Sequence, residues 1–229
     1  MDISVASDFI RGDFYIYLER GNGMNRLTFV QLCAESKADC AAFEQLMWQY
    51  TKELDETNIP MNFNIVSLAD DFHYLTFICD LLVHPSNVSA LHLKRIPDNE
   101  YRQFYKEMRE ALILDAAEDE LNYIIRKGVV PIAWLKLNGL SKDSLWISML
   151  VVHEKYRNMG AGLFALNFVE EFALSTRRRH IYINTTADNM IAQSLYKKAG
   201  YIVAGETNYQ NEDKTECVRY TFHKEVFFS

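Results

Sequence analysis

Hydrophobic residues first gather in two short runs, DFYIYLER and RLTFVQLC, rich in β-branched and aromatic side chains. GNGMN between them has turn chemistry, so residues 13–35 are expected to form a β-hairpin. In ADCAAFEQLMWQYTKELDE the apolar positions change period: Phe43, Leu46, Met47, Tyr50 and Leu54 recur at helical spacing. Pro60 and the segment NFN interrupt that pattern. Ser67 and Asp70 then have the spacing of a capping box for a helix over LADDFHYLTFICDLLV, which Pro85 is expected to stop. VHPSNVSA, residues 83–90, reads as a domain boundary.

From Leu91 the pattern becomes more regular. LHLKRI alternates like a strand, and Pro97-Asp98 opens a helix to about Leu114. Asp115 caps a second, short helix. LNYIIRK and VVPIAWLKL read as strands joined at Lys127-Gly128. A loop from Asn138-Gly139 leads to a third strand, SLWISMLVV. A glycine turn and an amphipathic helix follow, then the strand RHIYINTT. NMIAQSLYKKAG is a helix ended by Gly200, and YIVAGE and ECVRYTFHKEV are two last strands. The order β-α-α-β-β-β-α-β-α-β-β implies an α/β (α+β) fold, with a mixed, mostly antiparallel central sheet flanked by helices. Two units are expected: an N-terminal α/β extension over 1–89 and a larger domain over 90–229.

Composition narrows the function. With 49% hydrophobic residues among 229, the chain can bury a substantial core. A formal net charge of -7 argues against a nucleic-acid partner, whose binding face is usually basic. Cys33, Cys40, Cys79 and Cys217 are scattered, with no CxxC and no flanking His cluster, so neither a disulfide framework nor a metal site is expected. MDISVASDFIRGDF meets charge too early for a signal peptide, and no uncharged apolar run reaches the ~18 residues of a membrane span. A cytoplasmic protein is the expectation.

The chemistry concentrates around YRNMGAGLFALNFVEEF, residues 156–172. Here Arg157, Asn158, Met159, Gly160, Ala161 and Gly162 join an apolar strand to a helix. The first turn of a helix carries unpaired N–H groups and the positive end of the helix dipole, and glycine lets an anion approach the backbone. The spacing is neither GxGxxG nor a Walker A loop. These six residues alone are equally consistent with a phosphate seat and with a plain helix start. Behind them, Phe164, Phe168 and Phe172 read as core, and Arg177, Arg178 and Arg179 as a solvated helix end.

Two segments in order carry a family resemblance. LVVHEKYRNMGAG resembles the acyl-CoA-binding motif of the GNAT superfamily of N-acyltransferases, and INTTADNMIAQSLYKKAGY resembles that family's second motif. The element order after Leu91 fits the same fold, so the resemblance spans about residues 90–229. It implies acetyl-CoA as co-substrate and no metal. Leu150, Val151 and Val152 would offer backbone groups to the pantetheine arm, and Arg157 through Gly162, with Leu163, would hold the pyrophosphate. Asn189 would hydrogen-bond the cofactor, Ala192 would leave room for the arm, and Tyr196 would act as the general acid beside the thioester sulfur. Direct attack by an amine in a ternary complex is the implied reaction, with a small-molecule or peptide amine as acceptor and a homodimer compatible with the sequence. The overall acidity favours a cationic amine.

No general base stands out. SLWISMLVV lacks a carboxylate, leaving Ser148 through water, Asp143, Glu154, Glu118 and Asp119 as open alternatives. His153 reads as structural, and Trp134 and Trp146 as strand aromatics or the lining of an acceptor pocket. The missing carboxylate and the unrecognised first 89 residues keep open a non-catalytic acyl-CoA-binding module. An aminoacyl-tRNA-dependent transferase on the same fold fits the acidic balance poorly.

Overall fold

FNIVS, five residues with isoleucine and valine between polar neighbours, forms strand β1 (Phe63–Ser67). In this computed structural model the described residues are 62–68, 74–114, 119–128, 130–140, 142–210 and 215–227. The expected hairpin at 13–35, the helix after Ala38, and Asp70, Asp115 and Glu118 lie outside them. Helix α1 (Leu75–Val83) buries almost every residue, and α2 (Pro85–Ala90) begins on the very proline that ends it. His84 is extended, as a residue preceding proline tends to be, and its ring accepts the Ser86 N–H. Proline supplies the fixed φ of a first helical position, so it both stops α1 and starts α2.

After a turn of 3₁₀ helix come α3 (Tyr101–Arg109) and a π-helical turn, Glu110–Leu114. The chain then enters β2 (Leu121–Lys127), β3 (Val130–Asn138) and β4 (Ser144–Val152). Helix α4 (Ala161–Ser175), β5 (His180–Thr186), α5 (Met190–Lys198), β6 (Ile202–Gln210) and β7 (Glu216–Glu225) complete it. The seven strands form one sheet in the order β1-β2-β3-β4-β5-β7-β6. All neighbours are antiparallel except β4 and β5. The mixed, mostly antiparallel sheet with helices on both faces is thus as expected.

One expectation fails. LHLKRI is not a strand: residues 91 and 92 turn, with His92 at φ 52°, and the chain stays irregular to Pro97. The place beside β2 is already filled by β1, from Phe63↔Lys127 to Ser67↔Tyr123. Residues 83–90, read as a domain boundary, are the end of α1 and the whole of α2, and among the described residues the first strand of the sheet, β1, precedes them.

The sheet has a core on each face. Leu135, Leu137, Ile147, Ile181, Ile183 and Phe222 pack with Ala165, Leu166 and Val169 of α4 and Tyr196 of α5. Ile124, Trp134 and Val151 face the other way, against Ile78 and Leu81 of α1 and Tyr101 of α3. Each such aliphatic side chain, buried completely, contributes about 1.5–3 kcal/mol. Phe164, Phe168 and Phe172 are half-buried beside the first core, with Phe168 edge-on to Tyr123 at 5.0 Å. No helix among the described residues is long and apolar enough to cross a membrane.

Candidate functional site

The site begins with one extra residue. Lys136 pairs with Met149 but Leu137 pairs with Ile147, so Ser148 is a bulge in β4. A bulge bends and twists its strand. Consistently, β4 pairs with β5 only from Ser144↔His180 to Ile147↔Ile183. Past the bulge, Leu150, Val151 and Val152 stay with β3, while Asn184, Thr185 and Thr186 stay with β7. The two parallel strands part, and a wedge opens between them. Its β4 side carries Leu150 to Val152 along an edge with no strand partner among the described residues.

Each side of the wedge leads into a helix. On the β4 side a 3₁₀ turn, Glu154–Tyr156, precedes Arg157. His153 is 4% exposed, and its Nδ1 accepts the Lys155 N–H at 3.2 Å, in keeping with a structural role. Asn158 at φ 62° and Gly160 at φ 93° are both left-handed, which turns the loop sharply into α4. Gly160 is the N-cap and offers no side chain to the helix. Ala161, Gly162 and Leu163 thus present N–H groups with no acceptor among the described residues, together with the positive end of a fifteen-residue helix. Asn158, Met159 and Gly160 are exposed beside them. Gly162 has a different duty: a Cβ there would come within 2.7 Å of Leu195 Cδ2, so it lets α4 touch α5.

Arg157 is built into the framework. Its Nε donates to the Val152 carbonyl at 3.3 Å, and Nη2 donates to Ser86 Oγ at 2.9 Å and Asn87 Oδ1 at 2.5 Å. Asn87, 4% exposed, donates in turn to the Leu81 carbonyl at 2.8 Å. The guanidinium thereby ties the turn to the end of β4 and to α1 and α2, leaving Nη1 without a partner among the described residues. Ser86 and Asn87 were hidden in the segment read as a boundary. Only the start signal of a Pro-Ser helix would have suggested otherwise.

On the β5 side, Asn189 caps α5. Its Oδ1 accepts the Ala192 N–H at 3.1 Å, and its Nδ2 donates to the Ala90 carbonyl at 3.3 Å. Ala192 lies in the first turn, and Tyr196 one turn further is 5% exposed. The Tyr196 ring meets Phe222 edge-on at 5.4 Å, and burial pushes its hydroxyl well above the ordinary phenol range. The hydroxyl is therefore a proton-bearing donor at every ordinary pH.

Other candidates fall away from one another. Ser148 is exposed at the bulge and Asp143 at the start of β4. Glu154 lies 3.7 Å from the His84 ring, while the Asp119 carbonyl accepts from Leu140 at the far end of the sheet. Trp134 is core, donating to Asn122 Oδ1 at 3.1 Å, and Trp146 stacks on Tyr182 at 4.8 Å. Arg177 and Arg179 are exposed, but Arg178 reaches back to the Leu140 carbonyl. Among the described residues no cluster of His, Cys, Asp or Glu is suited to a metal ion.

The arrangement has known counterparts. Residues 88–201 match the model of the acetyltransferase (GNAT) family. The fold is similar to spermidine N-acetyltransferase from Vibrio cholerae, solved with CoA and spermine, at a TM-score of 0.59 and 14% identity, covering 71% of this chain and 95% of that one. It is similar also to an acetyltransferase of the GNAT family from Streptococcus pneumoniae, at 0.54 and 14%, covering 72% and 100%. Among curated proteins, none matches the chain.

Proposed function

We propose that this protein, which carries a GNAT acetyltransferase domain over residues 88–201, transfers an acetyl group from acetyl-CoA to an amine by direct attack in a ternary complex. The observation that carries the reading is the wedge between β4 and β5, with an uncapped, glycine-started helix at its mouth. Acetyl-CoA supplies an activated thioester and a pyrophosphate handle. The free N–H groups of Ala161, Gly162 and Leu163 suit that pyrophosphate, with Gly160 leaving the approach clear and Arg157 adding positive charge through Nη1. The open edge at Leu150, Val151 and Val152 suits an extended pantetheine arm, and Ala192 opposite is small enough to admit it.

Within the wedge, the β4 N–H of Val152, which faces away from β3, stabilises the charge that develops on the carbonyl oxygen. Tyr196 stands on the α5 side as donor to the leaving sulfur. Because burial strengthens its hold on the proton, it acts first by hydrogen-bonding the thiolate, and a full transfer is harder than from an ordinary phenol. Asn189 serves this site by capping α5 and joining it to α2, both of its polar atoms being engaged there. On this reading β1 belongs to the catalytic unit, because it pairs with β2 in the same sheet. The net charge of -7 favours a cationic amine, and the structural relative with bound spermine has an acceptor of that kind. A need for acetyl-CoA suits a cytoplasmic setting.

The test is thermal unfolding with and without acetyl-CoA, because a ligand of the folded state must raise the midpoint. Millimolar acetyl-CoA without a shift would falsify the reading. Tyr196→Phe should lower kcat about 100-fold in a thiol-release assay while KM for acetyl-CoA holds. The absence of a carboxylate from β4 favours one alternative, an acyl-CoA-binding module without turnover. Tight binding with no thiol release for any amine in a broad panel would select it.

A further inference from the structure

Three side chains far apart in sequence meet beside the start of α5. His92 lies in the turn after α2, Asp188 in the turn before α5, and Cys217 at the beginning of β7. His92 Nε2 is 3.0 Å from Asp188 Oδ2, and His92 Nδ1 is 3.7 Å from Cys217 Sγ. The Tyr209 hydroxyl is 3.4 Å from the same Nδ1, and Sγ also lies 3.6 Å from the Thr215 carbonyl. An ionised Asp188 accepts the Nε2 proton, which leaves Nδ1 as a bare acceptor facing the thiol. The acid and the thiol engage opposite nitrogens of one ring, so they do not converge on a point as metal ligands would. The order is instead that of a nucleophile, its base and the group that orients the base.

Further observations agree. His92 is held at φ 52°, a left-handed conformation that costs a non-glycine residue about 1–3 kcal/mol and often marks a functional position. Cys217 is half-buried, within reach of a reagent, whereas Cys79 is fully buried. Arg219, two residues along β7 and on the same face as Cys217, lies over the Tyr209 ring at 4.4 Å. Asp188 directly precedes Asn189, whose amide is bonded to Ala90, two residues before His92. The array thus lies beside the start of α5, on the β5 side of the wedge.

We propose that Cys217 is a nucleophile, with His92 as its base and Asp188 and Tyr209 as positioning residues, that accepts an acyl group from a thioester. The inference rests on the acyl-CoA reading for its natural donor. The Cys217 S–H bond breaks as His92 Nδ1 takes the proton, and a bond forms from Sγ to the thioester carbonyl carbon. The carbon–sulfur bond to the donor breaks, and the departing thiolate receives the proton from Nδ1. The products are an acyl-cysteine and the donor's free thiol, with no oxidant or reductant consumed, and the direct attack by an amine in the wedge is a separate event.

The experiment incubates the full chain, without amine, with acetyl-CoA and separately with S-acetyl-N-acetylcysteamine, a thioester that lacks the nucleotide. Peptide mapping by mass spectrometry follows each cysteine, and the iodoacetamide alkylation rate of Cys217 at pH 7 is measured in parallel. Acetyl should appear on Cys217 from both donors. His92→Gly, a substitution that suits the left-handed backbone, should slow both acetylation and alkylation at least about tenfold. Free imidazole should restore part of the loss, which a merely structural role for His92 would not allow, and Asp188→Asn should fall between. Equal rates in the parent and His92→Gly overturn the proposal. If acetyl-CoA raises the melting midpoint but neither donor modifies Cys217, the nucleophile falls and the acyl-CoA reading stands. If the small thioester acetylates Cys217 through His92 while acetyl-CoA neither reacts nor stabilises, the nucleophile stands and that reading falls.

Discussion

Helices α4 and α5 both begin where a parallel strand ends, one on each side of the wedge, yet their first turns are built in opposite ways. The start of α5 is closed: Asn189 takes the Ala192 N–H and ties itself to Ala90. The start of α4 is open, because its N-cap is a left-handed glycine with no side chain to offer. A cap and an anion compete for the same N–H groups. The comparison teaches that a helix start becomes a ligand seat by what its N-cap withholds, and that α4 meets this condition while α5 does not.

Placing a charge in the open turn should have the largest effect. Gly160→Asp puts a carboxylate at the seat, and acetyl-CoA affinity measured by calorimetry should fall about 100-fold, the scale of two like charges within a helical turn at intermediate dielectric. Gly160→Ala carries the same backbone strain without the charge, so the two should differ in affinity far more than in melting temperature. Next comes Arg157→Ala. It leaves the buried Asn87 Oδ1 without its donor, and urea unfolding should show a loss of about 1–3 kcal/mol together with weaker cofactor binding.

Asn189→Ala should cost about 1 kcal/mol, as removal of an N-cap does, with Asn189→Ser recovering much of it. Cofactor affinity should follow stability across that pair. A large loss of affinity in Asn189→Ser at unchanged stability would mean that Asn189 touches the cofactor directly, breaking the contrast between the two helices. Gly162→Ala should have the smallest effect, below about 1 kcal/mol, since the obstructing atom is the end of the flexible Leu195 side chain. Its N–H remains available, so affinity should change less than about threefold, and a drop as large as that of Gly160→Asp would show that the seat depends on the whole turn.

Much of this was legible because the signals are local. β4 runs over the nine residues expected of SLWISMLVV, and α5 ends before Gly200, which takes φ 84°. The helix starts at the glycine turn and at Asn189 were legible within a few residues, but the role of both segments came only from their resemblance, in order, to the two motifs of one family. What escaped depended on competition. LHLKRI alternates as a strand should, but the edge of β2 was taken by FNIVS, whose start lies in the NFN read as an interruption and whose end, Ser67, was read as a helix cap. Ser86 and Asn87 looked like linker residues because their partner, Arg157, is some 70 positions away.

The sequence by itself determined the order of elements from β2 to β7 and the glycine turn before α4, since periodicity, glycine φ and helix starts are short-range properties. Only the tertiary structure decided which segment flanks β2, that one bulged residue parts β4 from β5, and that Arg157 braces the site from within. It also decided the fate of Cys217. Along the chain the nearest histidine to that cysteine is His223, six residues on, yet folding places His92, 125 residues away, at 3.7 Å. Such a meeting follows from strand order and loop closure across the whole chain, and no local pattern of residues encodes it.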